Sequence, residues 1–90
     1  STPDLRKRFN NWKKSNNGKY AREIMLRRQL FLCPSCKGNL DKLEQHIHHL
    51  TPISKLDDSN EYLAIDHNNM VVLCSTCNLK QSNKVDSRFD

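Results

Sequence analysis

The stretch NMVVLCSTCNLK, residues 69–80, decides the fold. Met70 to Leu73 form an apolar run with two β-branched residues, which reads as a buried strand. It runs straight into a C-x-x-C pair, Cys74 and Cys77, and Ser75 is a suitable cap for a last helix reaching about Lys84. The chain has four cysteines, and the other two form a second pair, CPSC, Cys33 and Cys36. Two such pairs and no further cysteine point to one tetrahedral four-thiolate zinc site, each pair a tight knuckle that aims two sulfurs at one point. Four thiolates close the coordination sphere, so this zinc is structural. The competing readings, two disulfides or a redox-active pair, need an oxidising compartment or a thioredoxin-like unit, and the sequence supplies neither. The 37 residues between the pairs exceed zinc-ribbon spacing, so a substantial element lies between the knuckles.

That element opens on LEQHIHHLTPIS, residues 43–54, which places three of the four histidines, His46, His48 and His49, within four positions. Imidazole titrates near neutral pH, and the usual reasons to gather it are metal binding and proton transfer. Residues 43–50 read as a short strand. TPISKLDDSNEYLAIDHN, residues 51–68, reads as a polar loop with at most a turn of helix. The order is therefore knuckle, His-rich strand, loop, strand, knuckle, helix.

Ahead of the first knuckle the chain is basic. Residues 1–32 hold nine Lys or Arg against Asp4 and Glu23, a charge of +7, while the six basic and eight acidic residues that follow give −2. Thr2 is positioned to cap a helix with Pro3 at its first position and Asp4 in its first turn. Leu5, Phe9 and Trp12 fall at helical spacing. SNNGK, residues 15–19, breaks the pattern at Asn17 and Gly18, and a second helix is expected from Tyr20 to about Phe31, with Tyr20, Ile24 and Phe31 on one face. These aromatic and apolar residues read as core rather than as a base-stacking surface. A basic arm on a near-neutral body suits a polyanion, although a charge run alone is more often a solvated helix face.

Ninety residues allow one small domain, and a chain this short commonly relies on a metal or disulfides. No apolar run approaches the roughly 18 residues of a membrane span, and the opening STPDLRKRFNNWKK has no signal-peptide core. Reduced cysteines and the missing leader suggest an intracellular, cytoplasmic setting, bacterial or phage-encoded.

HHLTP, residues 48–52, followed by NMVVLCSTCNLK closely resembles an HNH endonuclease of the four-cysteine kind. The resemblance covers residues 33–84 and rests on several features together: the His48–His49 pair with Pro52 three residues later, Asn69 five residues before Cys74, and Asn78 directly after the last cysteine. It implies an α+β fold, a small zinc-stabilised ββα-metal domain preceded by basic helices (residues 1–32) and followed by a short tail (residues 85–90). It also implies metal-dependent hydrolysis of DNA phosphodiesters leaving a 5′-phosphate and a 3′-hydroxyl. By the resemblance, His49 matches the general base and Asn69 the residue that fixes the loop and the orientation of the base. His48 and Asn78 match the ligands of a catalytic divalent ion, Mg²⁺, Mn²⁺ or Ni²⁺. His48 stands where the family more often has Asp, which removes a negative charge, so Mn²⁺ or Ni²⁺ is expected to serve at least as well as Mg²⁺.

The chemistry supports these residue types. A neutral imidazole suits deprotonation of a water attacking phosphorus, and its other nitrogen needs an acceptor, expected from a carbonyl in the Asn69 region. Adjacent strand residues face opposite ways, so His48 and His49 must sit at a strand end or bulge. His46 and His67 are auxiliary candidates, as metal ligand or phosphate contacts, against a plainer reading as ordinary surface or partly buried histidines. Asp66 is a further candidate ligand. Arg22, Arg27, Arg28 and Lys80 are the candidates for gripping double-stranded DNA. Cutting both strands would call for a homodimer, an accessory protein or two successive events. The rival reading is a non-catalytic, zinc-stabilised DNA-binding module. It accounts for the knuckles and the basic arm but leaves the register of His48, His49, Asn69 and Asn78 unexplained.

Overall fold

The computed structural model describes residues 1–82. The expected end of the last helix near Lys84 and the tail at 85–90 lie outside the described residues. Helix α1 spans Thr2–Lys14 and helix α2 Asn16–Arg28. Strand β1, Gln45–His49, pairs with β2, Met70–Cys74, and helix α3, Ser75–Ser82, follows β2 without a break. Among the described residues, no helix is long and apolar enough to cross a membrane.

Ser1, not Thr2, caps α1: its hydroxyl accepts from the Asp4 amide, so the helix starts one residue early and Thr2 is already inside it. The break after α1 is a single residue, Ser15. Its amide and hydroxyl both donate to the Trp12 carbonyl (3.0 and 2.6 Å), and its hydroxyl accepts from the Gly18 amide (3.1 Å). One side chain thus closes α1 and opens α2. Asn17 and Gly18, expected in the break, are helical. Gly18 is there for closeness: a Cβ would stand 1.9 Å from the Trp12 carbonyl oxygen, inside any tolerable contact.

α2 therefore runs earlier than expected. Its buried face is Ala21, Met25 and Leu26, whereas Tyr20, expected on the core face, is 70% exposed. The helix stops at Arg28 because Leu30 and Phe31 take left-handed backbone conformations (φ 56° and 60°). The Leu30 and Phe31 amides then turn back on the Arg27 and Leu26 carbonyls.

β1 and β2 are antiparallel in unbroken register, with His49 opposite Met70, His48 opposite Val71 and Gln45 opposite Cys74. α2 packs on β2, and α3 packs on both strands. The main core gathers Met25, Leu26, Leu40, Met70, Val72 and Leu73 with three of the cysteines. The Gln29 side chain completes this layer: its amide nitrogen donates to the Val72 carbonyl (2.9 Å) while its oxygen accepts from the Val72 amide (2.8 Å). A side chain so takes the place of a third strand against β2.

The loop between the strands is more than polar. It contains three short 3₁₀ turns, Ile53–Lys55, Glu61–Ile65 and His67–Asn69. Ile53 and Ala64 are buried with Leu5 of α1 in a second core, and Phe9 packs against both cores. α1 is thus bound to the loop as well as to α2.

Candidate functional site

At one end of the β1–β2–α3 unit, the two knuckles meet. Left-handed Lys37 (φ 66°) closes the first: its amide donates to the Cys33 carbonyl (2.8 Å), and the Cys33 amide to the Gly38 carbonyl (2.9 Å). The Gly38 amide points at the Cys36 sulfur (3.4 Å). A Cβ on Gly38 would come 2.6 Å from Leu43 Cδ1 and 3.2 Å from that sulfur. The second knuckle spans the junction of β2 and α3. All four sulfurs lie within 4.8 Å of one another, and no disulfide joins them.

Burial pushes the Cys33 thiol up, but amides from Cys36, Cys74 and Ser35 outweigh it and bring the group down to about 7. At Cys77 the Ser35 hydroxyl pulls down, yet burial and the three neighbouring thiols push it up to about 12. Near neutral pH this cluster readily yields one thiolate and resists a fourth. A dication resolves the conflict by offsetting their mutual repulsion and favouring the thiolate form of each. Four converging sulfurs are the donor set of a structural zinc site.

His49 sits at the other end, on the last residue of β1. Only His49 is at the strand end, and His48 lies one residue inside the unbroken ladder. His49 Nε2 lies 3.0 Å from the Ala64 carbonyl oxygen. A carbonyl only accepts, so Nε2 carries the proton and Nδ1 is left with a lone pair. The edge of Phe9 packs on the imidazole, with centroids 4.5 Å apart and planes at 76°. Burial is the main force that lowers the pKa of His49 below its usual 6.5. The Ala64 bond opposes it, and the charges of His48, Arg6 and Lys13 add to the lowering. His49 is therefore neutral near pH 7.

Asn69, buried at the end of the third 3₁₀ turn, joins the strand ends to the loop. Its side-chain nitrogen donates to the Thr51 and Leu63 carbonyls (3.1 Å each), and its oxygen accepts from the Thr51 amide (2.9 Å). Its own carbonyl accepts from the Leu50 amide (2.8 Å). The acceptor that orients His49 is thus not in the Asn69 segment, as expected from the sequence, but in the neighbouring turn. Asn69 fixes that turn through Leu63, the residue before Ala64.

The remaining candidates fall in different places. His48 is buried on β1, and Asn78 lies on α3, which packs against that strand. His46 is half-exposed, with Nε2 3.6 Å from the Glu44 carboxylate. His67 has a buried Nδ1 with no partner among the described residues. Asp66 caps the third 3₁₀ turn by accepting from the Asn68 amide. Lys80 is exposed on α3.

The three arginines of α2 are engaged within the chain. Arg22 reaches the Gln45 side chain at 3.5 Å, and Arg27 pairs with Glu23 at 3.0 Å. Arg28 clasps the carbonyls of His67 and Met70, 3.1 Å each, bracketing the turn that holds Asn69.

Sequence reasoning missed Ala64, whose contribution is a backbone oxygen. It also missed Phe9 as the cover of His49, although the helical spacing of Leu5, Phe9 and Trp12 marks it correctly as core.

A family model described as HNH endonuclease matches residues 33–84. The match covers the knuckles, both strands, the loop and the described part of α3, and leaves out α1 and α2. Comparison with curated proteins gave no match, and comparison with solved structures gave none.

Proposed function

The chain belongs to the HNH endonuclease family, and from that premise we propose that it is a divalent-metal-dependent endonuclease that hydrolyses DNA phosphodiesters with His49 as general base. The observation that carries this reading is the bond from His49 Nε2 to the Ala64 carbonyl, which leaves Nδ1 as the acceptor on a neutral, packed ring. In the proposed reaction Nδ1 takes a proton from a water as its oxygen attacks phosphorus. The P–O3′ bond breaks, and the leaving oxygen takes a proton from solvent water to end as a 3′-hydroxyl opposite a 5′-phosphate. General-base help of this kind contributes about 10²–10⁴-fold in rate.

His48 and Asn78 would hold the second metal ion, offering one imidazole nitrogen and one amide oxygen. When bound, a divalent cation there supplies neutralisation of the charge that grows on the phosphate and the leaving oxygen. That donor pair has no carboxylate, so Mn²⁺ or Ni²⁺ is expected to match or exceed Mg²⁺. Asn69 positions the base through the Leu63–Ala64 turn. One such site nicks one strand, and cleavage of both would require a second copy, an accessory protein or a second event.

The test is cleavage of supercoiled plasmid under EDTA and after adding Mg²⁺, Mn²⁺ or Ni²⁺, with zinc content measured alongside. Wild type is expected to nick only with added metal. His49→Ala is expected to keep its zinc and lose cleavage by at least about 10²-fold. DNA binding without cleavage under every metal would instead mark a zinc-held binding module.

A further inference from the structure

The arginines of α2 are tied to Gln45, Glu23 and the backbone, which leaves open what grips DNA beside His49. On α1, Arg6 precedes Phe9 by three residues and Lys13 follows it by four, so all three share one face of the helix. Phe9 is the residue whose edge packs on His49 at 4.5 Å. The Lys13 ammonium sits 5.0 Å over the centre of the same Phe9 ring, two ring contacts from the imidazole. Arg6 is exposed, and Lys13 is half-buried. Among the described residues neither has a carboxylate partner. Both charges are felt at His49, where they oppose protonation. The helix cannot swing away freely, because Leu5 is buried with Ile53 and Ala64 of the loop that orients the base.

We propose that Arg6 and Lys13 form a phosphate-binding pair that seats the DNA backbone against His49, so that α1, outside the matched family region, is part of the active site. This rests on the nuclease reading. Two cations on a rigid helix, with no carboxylate partner among the described residues and flanking the cover of the base, meet the needs of a phosphodiester that must approach Nδ1. A duplex held there neutralises them and releases counterions, which makes the contact salt-dependent and independent of sequence.

The experiment separates binding from cleavage. Affinity for a labelled duplex is measured by fluorescence anisotropy in EDTA over a NaCl series, in the His49→Ala background. Arg6→Gln, Lys13→Gln and the double variant are compared with Lys42→Gln, an exposed control in the turn beside the first knuckle. The double variant is expected to bind roughly 10- to 30-fold more weakly near 0.15 M salt and to lower the slope of log K against log salt by about 2. Lys42→Gln is expected to leave both unchanged. Zinc content and melting temperature check that each variant is folded, and Arg6→Lys is expected to restore most of the lost slope. A folded, zinc-loaded double variant with unchanged affinity and slope would overturn the proposal. Because no cleavage is read, failure of the nuclease reading shows separately, as wild type that binds with the full slope yet never cuts.

Discussion

The two ends of the β1–β2–α3 unit are built by different means. At the cysteine end, four side chains from two sequence-distant knuckles converge within 4.8 Å, a cluster that calls for a dication. At the His49 end, the geometry is fixed by hydrogen bonds to backbone carbonyls and by one aromatic edge, with α1 supplying the cover. The first end holds the fold together, and the second positions a proton acceptor. The same two strands serve both, so the zinc is remote in chemistry while the ribbon depends on it. Damage at the cysteines should erase both ends. Damage around His49 should leave the cysteine end standing.

The largest effect is expected from Cys74→Ser. Structural zinc contributes about 10–16 kcal/mol in small zinc domains, as much as the whole stability of a domain this size. The variant should lose zinc and its cooperative thermal transition together, read by metal analysis and circular dichroism. A folded, zinc-loaded Cys74→Ser protein would break the comparison.

Asn69→Ala comes next. It strips two donors and an acceptor from Thr51 and Leu63 in a buried setting, and a loss of about 3 kcal/mol in denaturant unfolding is expected. Zinc should stay bound, because the damage lies at the other end.

Gly18→Ala would force a methyl group against the Trp12 carbonyl and open the α1–α2 elbow, for about 1–3 kcal/mol. Cleavage should fall along with stability if α1 covers the base.

The most informative effect in pH is expected from Phe9→Ala. Burial holds the pKa of His49 below 6.5, and the neutral form is the proposed base. Wild-type cleavage should therefore persist as pH falls to 6.5 and decline only below it. Removing the ring exposes the imidazole, raises its pKa toward 6.5 and moves the acid limb of the rate profile to higher pH. Stability follows the same sign: below about 6.5 the unfolded chain takes up a proton that native His49 refuses, so wild type loses stability as pH falls. An acid limb unmoved by Phe9→Ala would show that the ring does not set the ionisation of the base.

The contrast between the ends also explains what the sequence revealed. The knuckles, β1, β2 and the start of α3 were legible because their signals are side-chain signals: two C-x-x-C pairs, a His-rich segment and an apolar run. The elbow reads two residues late because Asn17 and Gly18 look like a break, while Gly18 actually serves close contact between α1 and α2. Tyr20 reads as inside because it is apolar and pairs with Ile24 at helical spacing, whereas the buried face is offset by one residue, at Ala21, Met25 and Leu26. The 3₁₀ turns at 53–69 read as polar loop, since Ile53, Leu56 and Ala64 are too sparse to show a period. Ala64 was illegible as a site residue because a carbonyl has no sequence signature. The partners of Arg22 and Arg28 were illegible because Gln45 and the His67 and Met70 carbonyls lie far away in sequence.

The central claim is that His49 is a neutral imidazole protonated on Nε2, with Nδ1 ready to accept. Nitrogen-15 NMR of histidine-labelled, zinc-loaded protein tests it directly, with His49 assigned by its loss in His49→Ala. The account expects the Nε2–H tautomer at pH 7 and a titration midpoint below 6.5. An Nδ1–H tautomer, or a midpoint above 6.5, would contradict it.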